Sequence, residues 1–343
     1  MTTPDNQMAA EAREAPRAAA RQEHSLTERL APLVERLRER APQVVVTCAR
    51  GSSAHAATFG KHLVERHLGV PVAAAAPSIA SVYHRALRLE GQLFLAISQS
   101  GGSNDLIELA AAARASGAVT ACLVNEMESE LAAQCEFVLP MEAGPEHAVP
   151  ATKTFIASLT ALARLVALWA ADEAMTRALQ RLPDRLAAAA ELDWSALVDG
   201  FSRADSLVTI GRGPTLAIAR EAALKLKETS NLHAEAFSSA EFLHGPVSLV
   251  SARYPILMLA PNDAAAPGMR AVAADLRHKG AALYATDRES EASVHLPVLA
   301  PDHPELDAIC LIQSFYGVVA RLAAARGADV DRPRHLQKVT RTR

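Results

Sequence analysis

The chain has 343 residues, of which 50% are hydrophobic and only 4% aromatic, and its formal charge is −3. That length accommodates two domains of ordinary size built on an aliphatic, alanine-rich core, and the near-balanced charge argues against nucleic acid or an anionic membrane as the main partner. The four scattered cysteines, Cys48, Cys122, Cys135 and Cys310, form no CxxC pair, which points to free thiols in a reducing cytoplasm rather than a disulfide framework.

Residues 1–30 are expected to form a helical arm. Met1–Gln22 carries charges throughout and lacks the apolar centre of a signal peptide. The first strand-to-helix unit follows at Val46-Thr47-Cys48-Ala49-Arg50-Gly51. Next comes the apolar run Leu93–Ile97, then Ser98-Gln99-Ser100-Gly101-Gly102-Ser103, then a helical pattern through Leu106, Leu109 and Ala113. A short buried strand thus runs into a loop of hydroxyls and glycines that opens a helix. The first N–H groups of a helix lack intrahelical partners and the helix dipole favours negative charge there, so this loop is an anion site by construction. One N-cap serine would serve an ordinary turn; three hydroxyls in six residues exceed what capping needs. The turn Ser116-Gly117-Ala118 then leads into strand Val119–Val124. The apolar stretch Phe155–Ala171, with Arg164 in its middle, is short for a bilayer span and reads as a buried helix.

The pattern then repeats. Val208-Thr209-Ile210-Gly211-Arg212-Gly213 echoes Val46–Gly51, Pro255–Ala260 echoes Leu93–Ser98, and Lys279-Gly280-Ala281 echoes the turn at Gly117. Recurrence of strand–helix units in one order implies two copies of one α/β domain, each a parallel sheet flanked by helices, doubly wound and flavodoxin-like. The expected domains are 31–191 and 192–333, joined near Gly200, with a tail at 334–343. Where the first copy has Ser98-Gln99-Ser100 the second has Ala260-Pro261-Asn262, so only the first is equipped to hold the anion, and the Ala260 loop is not expected at a helix N-terminus.

A second cluster lies in copy two. Glu221–Glu228 is helical by pattern, and His233, Glu235, Glu241 and His244 follow before Gly245-Pro246. A carboxylate and an imidazole together support proton transfer near neutral pH. Metal binding is the weaker reading, because His233 and His244 lack helical zinc spacing and no cysteine is near; His55, His62 and His67 read as helix-surface residues.

Six segments, in order, resemble the sugar isomerase (SIS) family: Ser98-Gln-Ser-Gly, Ala151-Thr-Lys-Thr-Phe155, Ala223-Leu-Lys-Leu-Lys-Glu228, His233-Ala-Glu-Ala, Glu241-Phe-Leu-His-Gly-Pro246, and Asp329-Val-Asp-Arg-Pro-Arg334 with Leu336 and Lys338. The likeness is to the isomerase half of glucosamine-6-phosphate synthase and its stand-alone relatives, and Pro77-Ser-Ile-Ala-Ser-Val-Tyr83 is closer to the stand-alone deaminases. The resemblance implies two tandem SIS domains. It also implies a sugar phosphate bound by Ser98, Gln99, Ser100 and Ser103, with Ser53 from the first turn and a backbone contact at Val149. Glu228, His244 and Lys338 take the places of the family's base, ring-opening histidine and C-terminal lysine. No metal or organic cofactor is implied, because the sugar carbonyl is itself the electron sink. A homodimer with a shared active site is implied, the histidine coming from a neighbouring subunit. Three departures stand out: relatives read Cys-Gly-Thr-Ser where this chain has Cys48-Ala-Arg-Gly-Ser-Ser53, Leu243 replaces a frequent lysine, and the tail ends in Arg343. Thr2 stands where the synthase has a nucleophilic cysteine and only about forty residues precede the first strand, too few for a further domain, so release of ammonia is the expected direction: glucosamine 6-phosphate to fructose 6-phosphate. Other readings are a galactosamine-6-phosphate deaminase, a fructosyl-amine 6-phosphate deglycase, an aldose–ketose isomerase and a non-catalytic sugar-phosphate sensor.

Overall fold

The computed structural model describes residues 6–338. It contains two five-stranded, all-parallel sheets. The first is built from β1 (Val45–Ala49), β2 (Val72–Ala74), β3 (Leu93–Ser98), β4 (Val119–Val124) and β5 (Phe137–Pro140), in the order β2-β1-β3-β4-β5. The second is built from β6 (Ser206–Gly211), β7 (His233–Ser238), β8 (Pro255–Leu259), β9 (Ala282–Ala285) and β10 (Val294–His295), in the order β10-β9-β8-β6-β7. Renumbered within each half, both sheets read 2-1-3-4-5, the doubly wound order whose ligand crevice lies where the winding reverses. The duplicated α/β architecture expected from the repeat is present.

Helices intervene as α1 (Gln7–Ala12), α2 (Ala15–Glu39), α3 (Gly51–Leu68), α4 (Ser78–Ser81), α5 (Asn104–Ala115), α6 (Glu130–Gln134), α7 (Lys153–Ala170), α8 (Glu173–Ala190), α9 (Ala196–Phe201), α10 (Pro214–Ser230), α11 (Ser239–Phe242), α12 (Ala266–His278) and α13 (Pro304–Ala325). The central strands are apolar on both faces because helices cover both: every residue of β3 is buried, and Leu207–Ile210 of β6 are too. Continuous apolar runs of this kind are what a parallel sheet demands. The registers run Val45↔Leu93 to Ala49↔Ile97 in the first half and Val208↔Ile256 to Gly211↔Leu259 in the second. Helices α7 and α13 are long and apolar enough to cross a bilayer, yet 89% and 78% of their most apolar windows are buried in the fold.

The chain divides into two compact units. One takes Arg17–Glu146, Lys153–Arg181 and the residues from Gln337 on; the other takes the residues up to Pro16, His147–Thr152 and Leu182–Leu336. The N-terminal arm is helical and splits between them. In the second unit, Asn6 caps α1 by accepting from the Ala9 N–H at 2.8 Å, and Asp331 accepts from the N–H groups of Gln7 and Met8 at 2.9 Å each. Those bonds satisfy helix-end donors that would otherwise lack partners.

Candidate active site

The serine loop crowns the first sheet. Ser98 ends β3 and is 8% exposed; its hydroxyl accepts from the Gly101 N–H at 3.1 Å. Ser100 accepts from the Gly102 N–H at 3.3 Å. Gly101 has φ +62°, and a Cβ there would sit 2.1 Å from the Ser129 hydroxyl, so no other residue fits. Ser103 is the N-cap residue of α5, but its side chain makes no capping bond. Its hydroxyl is therefore not consumed by the helix. Gln99 and Ser100 are half-buried at the mouth, and Ser53 is half-buried in the first turn of α3. The structure brings these five residues onto one unit.

The first strand-to-helix turn departs from the relatives' pattern, and the departure has a structural role. Arg50 donates from Nε and Nη2 to one Asp105 oxygen at 3.1 and 2.6 Å. Asp105 is 2% exposed in the first turn of α5 and would oppose an anion; Arg50 offsets that charge and ties the ends of β1 and β3 together. Burial, then the charge of Asp105, push the thiol of Cys48 from 9.0 up to about 12 despite Arg50.

Lys338 belongs to the same unit. Its ammonium donates to Glu146 at 2.7 Å, and that carboxylate is fully buried. Glu146 also accepts from the Thr154 N–H at 3.1 Å and hydroxyl at 2.7 Å. A buried carboxylate with three donors is a fixed acceptor, so the tail lysine is held rather than free.

The second unit carries the residues expected to do the acid–base work. Glu228 stands near the end of α10, its side chain 21% exposed, bonded to the ammonium of Lys225. Lys225 is itself buried and lies 3.4 Å from the equally buried Glu221, which accepts from the Tyr316 hydroxyl at 3.3 Å. Spacings of three and four put Glu221, Lys225 and Glu228 on one helix face. The helix stops just beyond: Asn231 adopts φ +48°, and Arg326 donates to the Ser230 carbonyl at 2.8 Å. His244 is exposed, between exposed Leu243 and Gly245, at the end of a turn begun by α11. Val149 lies in the segment that Glu11 of α1 clamps, accepting from the His147 N–H at 2.6 Å and the Ala148 N–H at 3.1 Å.

One expectation is corrected. The Ala260 loop does lead into a helix, α12. What distinguishes it from the serine loop is donor chemistry rather than position, since Pro261 and Pro267 have no N–H and Ala260 no hydroxyl. The pairing of Lys225 with Glu221 and Glu228, the carboxylate of Glu146 and the Arg50–Asp105 pair were not singled out from sequence. The i, i+4 and i, i+3 spacing around Lys225 was the legible signal; the partners of Lys338 and Arg50 are remote in sequence and left none.

The family model for the SIS domain matches residues 40–168 and 200–296. The chain belongs to the SIS domain family. It is 33% identical over 314 residues to the glutamine–fructose-6-phosphate aminotransferase (isomerizing) of Caulobacter vibrioides, spanning 86% of this chain and 51% of that one. It thus covers about half the length of the curated relatives it matches. A crystal structure of a proposed phosphosugar isomerase from Silicibacter pomeroyi superposes with TM-score 0.91 at 42% identity, over 95% of this chain and 99% of that one. The C-terminal domain of glucosamine-fructose-6-phosphate aminotransferase from Francisella tularensis gives TM-score 0.83 at 25% identity, over 96% and 98%.

Proposed function

We propose that this SIS protein deaminates and isomerises glucosamine 6-phosphate to fructose 6-phosphate and ammonia. The observation that carries the reading is the Glu228 carboxylate, partly exposed and backed by the buried Lys225 ammonium, on a chain that also has an uncommitted hydroxyl and glycine loop suited to a phosphate. In this reading the serine loop, with Ser53 and the Val149 backbone, binds the sugar phosphate and so fixes the open chain for reaction. His244 transfers the proton that opens the ring. Glu228 takes the C2 proton, made acidic by the C1 aldehyde, giving an enaminol; return of the proton to C1 leaves a C2 iminium. Water adds there and ammonia departs. Lys225 and Lys338 supply positive charge where oxygen gains negative charge.

All four cysteines are free and buried. Burial drives the thiols of Cys48 and Cys310 up to about 12, and Cys122 is also raised, by its bond with Cys135 and by burial. Buried, reduced thiols suit a cytoplasmic enzyme. Exposed Leu243 and Leu249 beside His244 suit coverage by a second subunit, as a homodimer with a shared site requires.

The test is ammonia release from glucosamine 6-phosphate, with galactosamine 6-phosphate, a fructosyl-amine 6-phosphate and glucose 6-phosphate alongside. Ammonia and fructose 6-phosphate from the first substrate are expected. Isomerisation without ammonia would replace the reading by an aldose–ketose isomerase. Mixing inactive Ser100→Ala/Glu228→Gln chains with inactive His244→Ala chains should restore activity; full activity in a monomer would refute the shared site.

A further inference from the structure

The second unit contains a cavity of about 550 Å3, within the roughly 300–1,000 Å3 typical of small-molecule sites. Residues following β8 and β9, including Ala260 and Thr286, line it, together with Thr215 at the start of α10 and one face of α13. That is the carboxyl edge of the second sheet, the edge at which α/β sheets of this winding present ligands. Within its own half it is the counterpart of the serine loop.

The lining has two characters. Leu192, Leu299, Leu311 and Cys310 contribute apolar lining, and Arg185, Arg270 and Arg288 contribute cationic lining. The carboxylates there are already committed. Asp307 accepts from Arg185 and Asn262 at 2.6 Å each and from the Asp302 N–H at 2.9 Å. Asp287 and Glu289 are both taken by Arg270. Two of the three arginines thus take all three carboxylates of the lining, and Arg288 is left over. Arg288 is exposed and makes no ion pair or hydrogen bond among the described residues. The Nε of Arg185 is buried without a hydrogen-bond partner, an Asp302 oxygen lying 3.9 Å away. Thr286 accepts from the Ala260 N–H at 2.9 Å and keeps its own proton to donate. A proline and an alanine in the adjoining loop leave recognition to these side chains.

We propose that this cavity binds a small organic anion, its carboxylate or phosphate met by Arg288 and Arg185 and its apolar body seated against Leu192, Leu299 and Leu311. The site is distinct from the serine loop, and the inference does not rest on the reaction proposed above.

Isothermal titration of the full chain with phenyl phosphate and with benzoate tests it, benzyl alcohol being the neutral control. Saturable binding of at least one anion at one per chain is expected, with none of the alcohol; the stronger probe tells whether phosphate or carboxylate is preferred. Arg288→Ala, an exposed change that leaves the core intact, should weaken binding about tenfold. Ala260→Leu, which fills the cavity mouth, should abolish it while the melting temperature stays close to that of the parent. Binding that ignores both substitutions, equal binding of benzyl alcohol, or no saturable binding of either anion would overturn the proposal.

Discussion

The two halves repeat one fold but treat the same turn differently. After β3 the chain has Ser98 to Ser103, with Gly101 pressed against Ser129 and hydroxyls not consumed by capping. After β8 it has Ala260-Pro261-Asn262, with fewer donors and side-chain ion pairs around a cavity. The reverse holds one strand earlier. After β1, α3 carries small residues and histidines, while after β6, α10 carries the buried Glu221–Lys225–Glu228 cluster. Gly211 at the end of β6, where the first half has Ala49, lets that helix come close: a Cβ there would lie 2.3 Å from the Thr215 carbonyl. Duplication supplied two scaffolds, and in the proposed reading the first half binds the sugar phosphate and the second moves its proton.

That division is broken most severely at α10. Glu228→Gln keeps the shape and removes the basicity, so kcat should fall by about 10²–10⁴-fold with KM little changed. Steady-state kinetics on glucosamine 6-phosphate checks this. Deuterium from C2 should also appear in part at C1 of the product when the wild-type base returns the same proton. Near-full activity in the Gln variant would shift the base to Glu241 or His244.

The next largest effect falls on KM. Ser100→Ala removes a hydroxyl from the phosphate loop, and a hydrogen bond to a charged group is worth about 1.5–3 kcal/mol, so KM should rise about tenfold or more while kcat holds. Ala260→Ser, the corresponding change in the other half, should leave both parameters unchanged. Equal effects of the two substitutions would erase the distinction between the halves.

Much of this contrast was legible in the sequence for physical reasons. Parallel strands buried on both faces read as apolar runs, and an anion loop announces itself by glycine and hydroxyl density, so the duplicated sheets and the Ser98 loop were visible without coordinates. Glu228 and His244 were reached through family resemblance, since a lone glutamate on a charged helix carries little signal. What stayed hidden was long-range pairing. Nothing local tells that Lys338 meets Glu146 across 192 positions, that Asp331 caps α1, or that Glu11 clamps the segment of Val149. The helical start of α12 was missed because Ala260-Pro261-Asn262 offers no capping signature.

The Lys338–Glu146 pair sharpens the comparison at smaller magnitude. Glu146→Gln keeps one oxygen for the Thr154 N–H but puts an amide NH2 in place of the oxygen that meets Lys338 and removes the countercharge, leaving a lysine less firmly held. We expect kcat to fall several-fold with KM for the sugar phosphate less affected, and Glu146→Asp to recover part of the loss. If Lys338 has no part in turnover, Glu146→Gln will alter thermal stability alone.

The smallest effect is expected at Cys48, where the halves differ only in appearance. Cys48 in β1 aligns with Ile210 in β6, and both are buried, at 1% and 0% exposure. The cysteine therefore acts as a hydrophobe. With its thiol raised from 9.0 to about 12 by burial and by Asp105, the thiolate fraction at pH 8 is on the order of one part in ten thousand. Native protein should react slowly with a thiol reagent at pH 8, and all four cysteines should react after denaturation. Cys48→Val should retain activity within about twofold. The pH dependence has a definite sign: a thiol whose folded pKa is raised loses its proton more readily in the unfolded chain, so its contribution to stability is intact below about pH 8.5 and declines as pH rises toward 12. Replacing Cys48 by Val should flatten that alkaline decline. Rapid labelling of native Cys48, or loss of activity in the Val variant with its fold intact, would restore a chemical role to the first turn and remove the analogy with Ile210.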